Sequence, residues 1–218
     1  MPTLAYILTA LAAYLLGSIP TGFLVARAKG VDIRAAGSGN IGATNAMRVL
    51  GKPAGIFVLL VDALKGFGAV CLGMSFVIFF TNLNTNPDIR KELFERITVI
   101  AGICAVLGHN YTCWLKFKGG KGVATTAGVY LALAHWPLLI ALAVFILALL
   151  ATRYVSVGSI SAAVALPVAV WILPPHNLFL SIVTTALGAM VIYRHKGNIQ
   201  RLIAGTENRL QFKKKETT

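Results

Sequence analysis

Acidic residues are almost missing from this sequence: seven Asp and Glu in 218 residues, against twenty Lys and Arg. Charge of either sign is scarce, at 12% of the chain, where soluble domains carry about 25%. A deficit of that size excludes a water-facing surface wrapped around one core. The few acids do not form a ligand-like pair, and no histidine cluster stands beside them. No metal site and no cofactor are therefore expected. A Gly-x-Ser-x-Gly nucleophile elbow is absent. The three cysteines, Cys71, Cys104 and Cys113, lie in or at the ends of apolar runs without metal-ligand spacing. They read as small buried hydrophobes.

In place of charge the chain has length without charge. Met1–Ala26, Gly66–Pro87, Ile97–Leu115, Gly122–Thr152 and Tyr154–Tyr193 contain no Asp, Glu, Lys or Arg, and mean hydropathy is +0.77. A membrane-crossing helix needs roughly 20 apolar residues at ~1.5 Å each. The pattern predicts an all-α polytopic membrane protein. Its first run lacks a basic start and a small-residue cleavage site, so it reads as a span and not as a signal peptide. Spans are expected over 4–26, 55–80, 97–115, 122–134, 137–151, 157–174 and 178–193. Two of the runs must be divided. As one helix 122–152 would reach ~46 Å, against a hydrocarbon core of ~30 Å, and Pro137 favours a break near His135-Trp136-Pro137. Pro174-Pro175-His176-Asn177 splits the last run.

Charge decides between one crossing and two for 122–152. Two crossings make about seven helices, some of them short, with the N-terminus outside and the C-terminus cytoplasmic. Sixteen Lys/Arg then face inward and three, Arg90, Lys91 and Arg96, face outward; Lys65 lies within a span. One crossing would leave eight inside and eleven outside. The positive-inside rule selects seven. Residues 1–218 read as a single membrane domain with a polar tail from about Gly205 that frays toward its end. The net charge of +13 sits in loops, where topology and anionic lipid or substrate account for it. Without a basic helix or an aromatic-interleaved basic surface, nucleic acid is not an expected partner.

Three segments on the expected inner face carry polar chemistry. The first runs from Gly37 through Ser38, Gly39, Asn40, Thr44 and Asn45 to Arg48. Its glycines let backbone N–H groups converge, and Arg48 adds a forked charge suited to phosphate. A flexible loop with an interfacial arginine would have the same composition. The second is Lys116–Thr125, where Gly119, Gly120 and Gly122 surround Lys121 at a helix start. That combination makes an anion site from exposed N–H groups, dipole and ammonium. Topology alone explains the lysines but not the glycines. The third, Arg194–Glu207, puts His195 and Asn198 three apart. Ser159, in the 153–159 connection, either faces the same site or bonds the preceding helical turn. Asp62 and Lys65, at i and i+3 within a span, read as a structural ion pair, since a lone lysine there costs ~2.5–3.5 kcal/mol.

These segments resemble the bacterial acyl-phosphate:glycerol-3-phosphate acyltransferases of the PlsY type. The resemblance rests on GSGNIGATNAMR (37–48), GHNYTCWLKFKGGKGVAT (108–125) and RHKGNIQRLIAGTE (194–207), in order and at the expected spacing. Cys113-Trp114 and Leu115 depart from the phenylalanine-rich pattern, and the outside segment 81–96 is longer than expected. His109 and His195 are followed five positions later by Trp114 and Gln200, so the His-x4-Asp dyad of soluble-type glycerolipid acyltransferases is missing. The resemblance implies transfer of an acyl chain from acyl phosphate to sn-glycerol 3-phosphate. The products are lysophosphatidic acid and phosphate, formed at the cytoplasmic face of the bacterial inner membrane with membrane lipid around the site. It implies Lys121, Arg48, His195, Ser159 and Asn198 as catalytic residues. Ser38, Gly39, Asn40, Thr44, Asn45, Gly119, Gly120 and Gly122 would bind substrate. The base is either His195 or a substrate phosphate. Oligomeric state stays open.

Overall fold

The computed structural model describes residues 2–81, 85–174 and 176–210, and every regular element among them is helical. The chain forms two compact units, Met1–His135 and Trp136–Thr218. The first contains α1 (Pro2–Ser18), α2 (Thr21–Ala28), α3 (Ala43–Leu50), α4 (Lys52–Phe80), α5 (Pro87–Asn110), a 3-10 turn at Cys113–Leu115, and α6 (Val123–Leu133). The second holds α7 (His135–Thr152), α8 (Val155–Ile172), α9 (Leu178–Arg194) and α10 (Lys196–Ile203).

Five stretches among the described residues are long and apolar enough to cross a bilayer: Thr3–Ala28, Lys52–Phe80, Pro87–Leu115, His135–Thr152 and Val155–Ile172. The pair α9 and α10, bent by 52°, makes a sixth, and the apolar α6 is shorter at 11 residues. The polytopic all-helical architecture is thus as the hydropathy predicts. Its outward surface is lipid-like: Leu147 is 68% exposed, Ile172 67% and Phe79 80%. In water such a surface would aggregate.

Several boundaries differ from the sequence expectation. The first span is broken at Ile19-Pro20, because proline cannot donate to the preceding turn. The break inside 122–152 falls at Ala134; Pro137 is the third residue of α7, where its missing N–H would have no helical acceptor. Helix α5 begins ten residues before the expected 97. The Asn86 side chain accepts from the Asp88 N–H at 2.8 Å, Pro87 follows, and Glu92 pairs with Arg96 one turn apart. Much of the expected outside segment 81–96 is therefore helix, and residues 82–84 lie outside the described residues. The cysteines are half-buried, where buried hydrophobes were expected.

Small residues set the packing of the first unit. A side chain at Gly66 would strike the Thr125 carbonyl, and one at Gly128 the Ala63 carbonyl, so α4 and α6 meet backbone to backbone. In α4 the expected ion pair forms, Lys65 Nζ lying 2.8 Å from Asp62 Oδ1 with both side chains buried. In the second unit α8 packs on α9, where Gly188 meets Ala163 and Pro167. Only Pro137, Leu138 and Ala141 of α7 are buried.

Candidate active site

In the first unit, the loop ahead of α3 is built around one amide. Asn45 Nδ2 donates to the carbonyls of Ile33, Ala36 and Asn40 at 3.2, 3.0 and 2.9 Å. Its Oδ1 accepts from Ser38 N–H at 2.8 Å. Asn40 Oδ1 accepts from Gly42 N–H at 2.9 Å, and Gly37 and Gly39 take the left-handed conformation. Asn45 is buried and spends its amide on the loop itself, whereas Ser38, Gly39, Thr44 and Arg48 are exposed. Thr44 and Arg48, four apart on α3, share one face. An ion pair of Asp32 with Arg34, and Arg34 stacked 4.9 Å from the Phe23 ring, frame the loop's entry.

The second signature is joined to the first by packing. Ala26, Ile33, Ile41, Ala46, Val58 and Leu115 form one buried cluster, so the 3-10 turn before the glycine loop rests on the core under α3. Lys116 and Phe117 both take positive φ, reversing the chain. Gly119 N–H then donates to Asn110 O at 3.1 Å and Gly120 N–H to His109 O at 2.9 Å. Gly122, at φ 83°, is the N-cap residue of α6, and no side chain caps that helix. Lys121 is half-buried between two buried glycines at the positive end of the helix.

In the second unit, a carboxylate organises the third signature. Glu207 accepts from Asn198 Nδ2 at 2.7 Å, Ser156 Oγ at 3.0 Å and Arg201 Nε at 2.7 Å. Burial pushes the Glu207 carboxyl up, but these three donors outweigh it and hold the group below the usual carboxylate range. Arg209 donates to the Tyr154 hydroxyl at 2.9 Å, and Leu210 N–H to Arg153 O at 2.7 Å. The first part of the expected tail is thus docked on the α7–α8 connection; residues 211–218 lie outside the described residues. His195 is buried, with Nδ1 2.7 Å from Val191 O. A carbonyl only accepts, so Nδ1 carries the proton and Nε2 is the basic nitrogen. Ser159 Oγ donates to Val155 O at 2.9 Å, the helical back-bond that was one of its two readings. Among the described residues no group of three His, Cys, Asp or Glu stands in metal-binding array.

Glu207 and Ser156 were not assigned roles from the sequence. The available signal was that Glu207 is an isolated acid within a basic segment. Its shifted titration has a consequence. The native carboxyl titrates below its unfolded value of about 4.5, so its contribution to stability is full above that pH. It is lost as pH falls through the lowered native value. Limited proteolysis of 205–210 should accelerate across that acidic window, and Glu207→Gln should cut rapidly at neutral pH with no such acid dependence.

A polytopic helical membrane protein with a glycine-lysine helix start and an arginine-bearing glycine loop presents two cationic elements of the kind that phosphate oxygens take. The family model described as glycerol-3-phosphate acyltransferase matches residues 7–205, and the chain belongs to that family. A glycerol-3-phosphate acyltransferase of Geobacter sulfurreducens is 48% identical over 206 residues, covering 94% of this chain and 97% of that protein. One from Endomicrobium trichonymphae is 46% identical, covering 96% and 98%. The crystal structure of PlsY (YgiH), an integral membrane glycerol 3-phosphate acyltransferase in its glycerol 3-phosphate form, superposes with a TM-score of 0.83. It is 36% identical and covers 94% of this chain and 96% of that one. A lysophosphatidic acid form of PlsY superposes with a TM-score of 0.80.

Proposed function

We propose that this protein transfers an acyl chain from acyl phosphate to a hydroxyl of sn-glycerol 3-phosphate, releasing lysophosphatidic acid and inorganic phosphate. The observation that carries the reading is Lys121, held between Gly120 and Gly122 at the open N-terminus of α6. Family membership and the likeness to PlsY in its glycerol 3-phosphate and lysophosphatidic acid forms support the acceptor and the product. The donor rests on the chemistry. An acyl phosphate is a mixed anhydride and already activated, so positioning and charge stabilisation suffice without a covalent nucleophile. The acceptor oxygen attacks the carbonyl carbon, the carbon–oxygen bond to phosphate breaks, and phosphate leaves.

Arg48 and Lys121 hold phosphate oxygens and stabilise the developing negative charge. Gly122 supplies an N–H group at the helix start. Gly119 and Gly120, expected as donors too, have their N–H groups bound to Asn110 and His109 and shape the loop that carries Lys121. Ser38, Gly39, Asn40 and Thr44 position substrate. Asn45 shapes the first loop from beneath. Ser159 and Asn198 of the second unit are the further polar groups for substrate, and His195 Nε2 or a substrate phosphate takes the hydroxyl proton. The family match spans both compact units, which supports reading 1–218 as one catalytic domain. This chemistry is assigned to the cytoplasmic face of a bacterial inner membrane on the positive-inside expectation of seven crossings with the basic loops inward.

The test is purified protein with glycerol 3-phosphate and palmitoyl phosphate in chelator. Lysophosphatidic acid formed with one phosphate each supports the reading. Turnover with palmitoyl-CoA alone, or uptake into vesicles without chemistry, overturns it. His195→Gln separates the two proton acceptors. If His195 is the base, the variant loses the acidic limb of the kcat profile along with ~10²–10⁴-fold of the rate. A modest loss with that limb unchanged assigns the proton to substrate phosphate.

A further inference from the structure

The ion pair in α4 has more partners than membrane insertion requires. Asp62 Oδ1 lies 2.8 Å from Lys65 Nζ, accepts from Thr21 Oγ1 at 3.0 Å, and faces His109 Nδ1 at 3.7 Å. Lys65 also donates to Ile19 O at 2.9 Å, at the break between α1 and α2. Asp62, Lys65, Thr21 and His109 are all buried. The opposite side of the His109 ring is occupied by the glycine loop: a side chain at Gly120 would collide with Nε2, Cε1 and Cδ2 of the imidazole. The His109 carbonyl accepts the Gly120 N–H, so this one residue grips the loop through ring and backbone together. Its neighbour Asn110 does the same one step along. Its carbonyl accepts from Gly119, and a side chain at Gly122 would run into its amide.

We propose that His109, anchored by the Asp62–Lys65 pair, is a positioning residue that sets the height and tilt of the glycine loop and so places Lys121 against substrate phosphate. This rests on the acyl-transfer reading of Lys121. The ring is the spacer between a fixed buried charge and the Gly120 backbone, and its tilt is set by the carboxylate facing Nδ1. A displacement of about 1 Å at a catalytic group costs up to a hundredfold in rate, so a small change in ring position is sufficient to matter.

The experiment compares His109→Asn, His109→Gln and His109→Phe in the full-length protein in detergent. The Asn amide places its nitrogen near the Nδ1 position, facing Asp62; the Gln amide places it near Nε2; Phe keeps the ring and has no nitrogen. Three readouts are taken: kcat, glycerol 3-phosphate affinity by calorimetry, and the thermal midpoint. The proposal expects all three variants to lose about tenfold or more in both kcat and affinity, with midpoints close together. Asn keeps a nitrogen facing Asp62 but not the atoms under Gly120, Gln reaches Gly120 without the Nδ1 position, and Phe keeps the ring without its anchor. Any of the three within about twofold of wild type in both readouts overturns it. If Phe does not fold, Asn and Gln decide alone. A wild type that binds glycerol 3-phosphate without transferring an acyl group would sink the proposed function. The affinities of Asn and Gln would still decide whether His109 positions the loop.

Discussion

Lys121→Ala abolishes acyl transfer and leaves the protein folded in the membrane. Lys121 is half-buried at the start of α6, behind a loop whose N–H groups are already tied to His109 and Asn110. Its ammonium therefore adds charge to a frame that other residues build. Removing one such donor from a site that stabilises developing charge costs on the order of 10²–10³ in kcat. Arg48→Ala belongs to the same experiment. Arg48 is exposed on the last turn of α3, and its loss removes no buried contact. Exposed substitutions of that kind shift stability by roughly ±0.5 kcal/mol. Both variants should elute as wild type and melt close to it while turnover drops below a hundredth. Either variant retaining a tenth of wild-type turnover would remove that residue from the reacting centre.

Asp62→Leu has the largest expected effect on stability. It leaves the Lys65 ammonium buried in α4 with the Ile19 carbonyl as its remaining partner among the contacts described above. Breaking a buried pair in this way costs about 3–5 kcal/mol, whereas replacing both members by apolar residues of similar size is often neutral. The single variant should therefore express poorly and melt well below wild type, and Asp62→Leu combined with Lys65→Met should recover the midpoint. The double variant should nevertheless remain slow, because the carboxylate facing His109 is gone. A double variant no more stable than the single one would show that the pair is not what holds α4 in place.

How much of this was legible beforehand differs from element to element. Charge-free runs located every long helix, because a bilayer imposes a length that composition alone reveals. The start of α5 escaped, since Asp88 to Arg96 looks like a loop by hydropathy and is a helix by capping and by its Glu92–Arg96 pair. The break inside 122–152 was legible and falls at Ala134, but the part Pro137 plays in it was not, since it sits in the first turn of α7. Pro137 marks a helix start as well as a helix end, and sequence does not say which. The position of Lys121 at a helix start was readable because three glycines around one lysine signal a turn into a helix. Glu207 was not, because its partners Ser156 and Asn198 lie 51 and 9 residues away. The amide of Asn45 was read as a substrate contact; only the path of the loop reveals that its hydrogen bonds turn inward. The role of His109 has the same origin, a side chain whose meaning lies in the backbone folded over it.

The most direct measurement uses palmitoyl phosphate labelled with ¹⁸O at the oxygen bridging carbonyl and phosphorus. It is incubated with the purified protein, glycerol 3-phosphate and chelator. Attack at the carbonyl carbon predicts one label in inorganic phosphate for each lysophosphatidic acid formed, with none in the ester. Label retained in free palmitate, or no lysophosphatidic acid from this donor under conditions where palmitoyl-CoA is consumed, would contradict acyl transfer from acyl phosphate at this site.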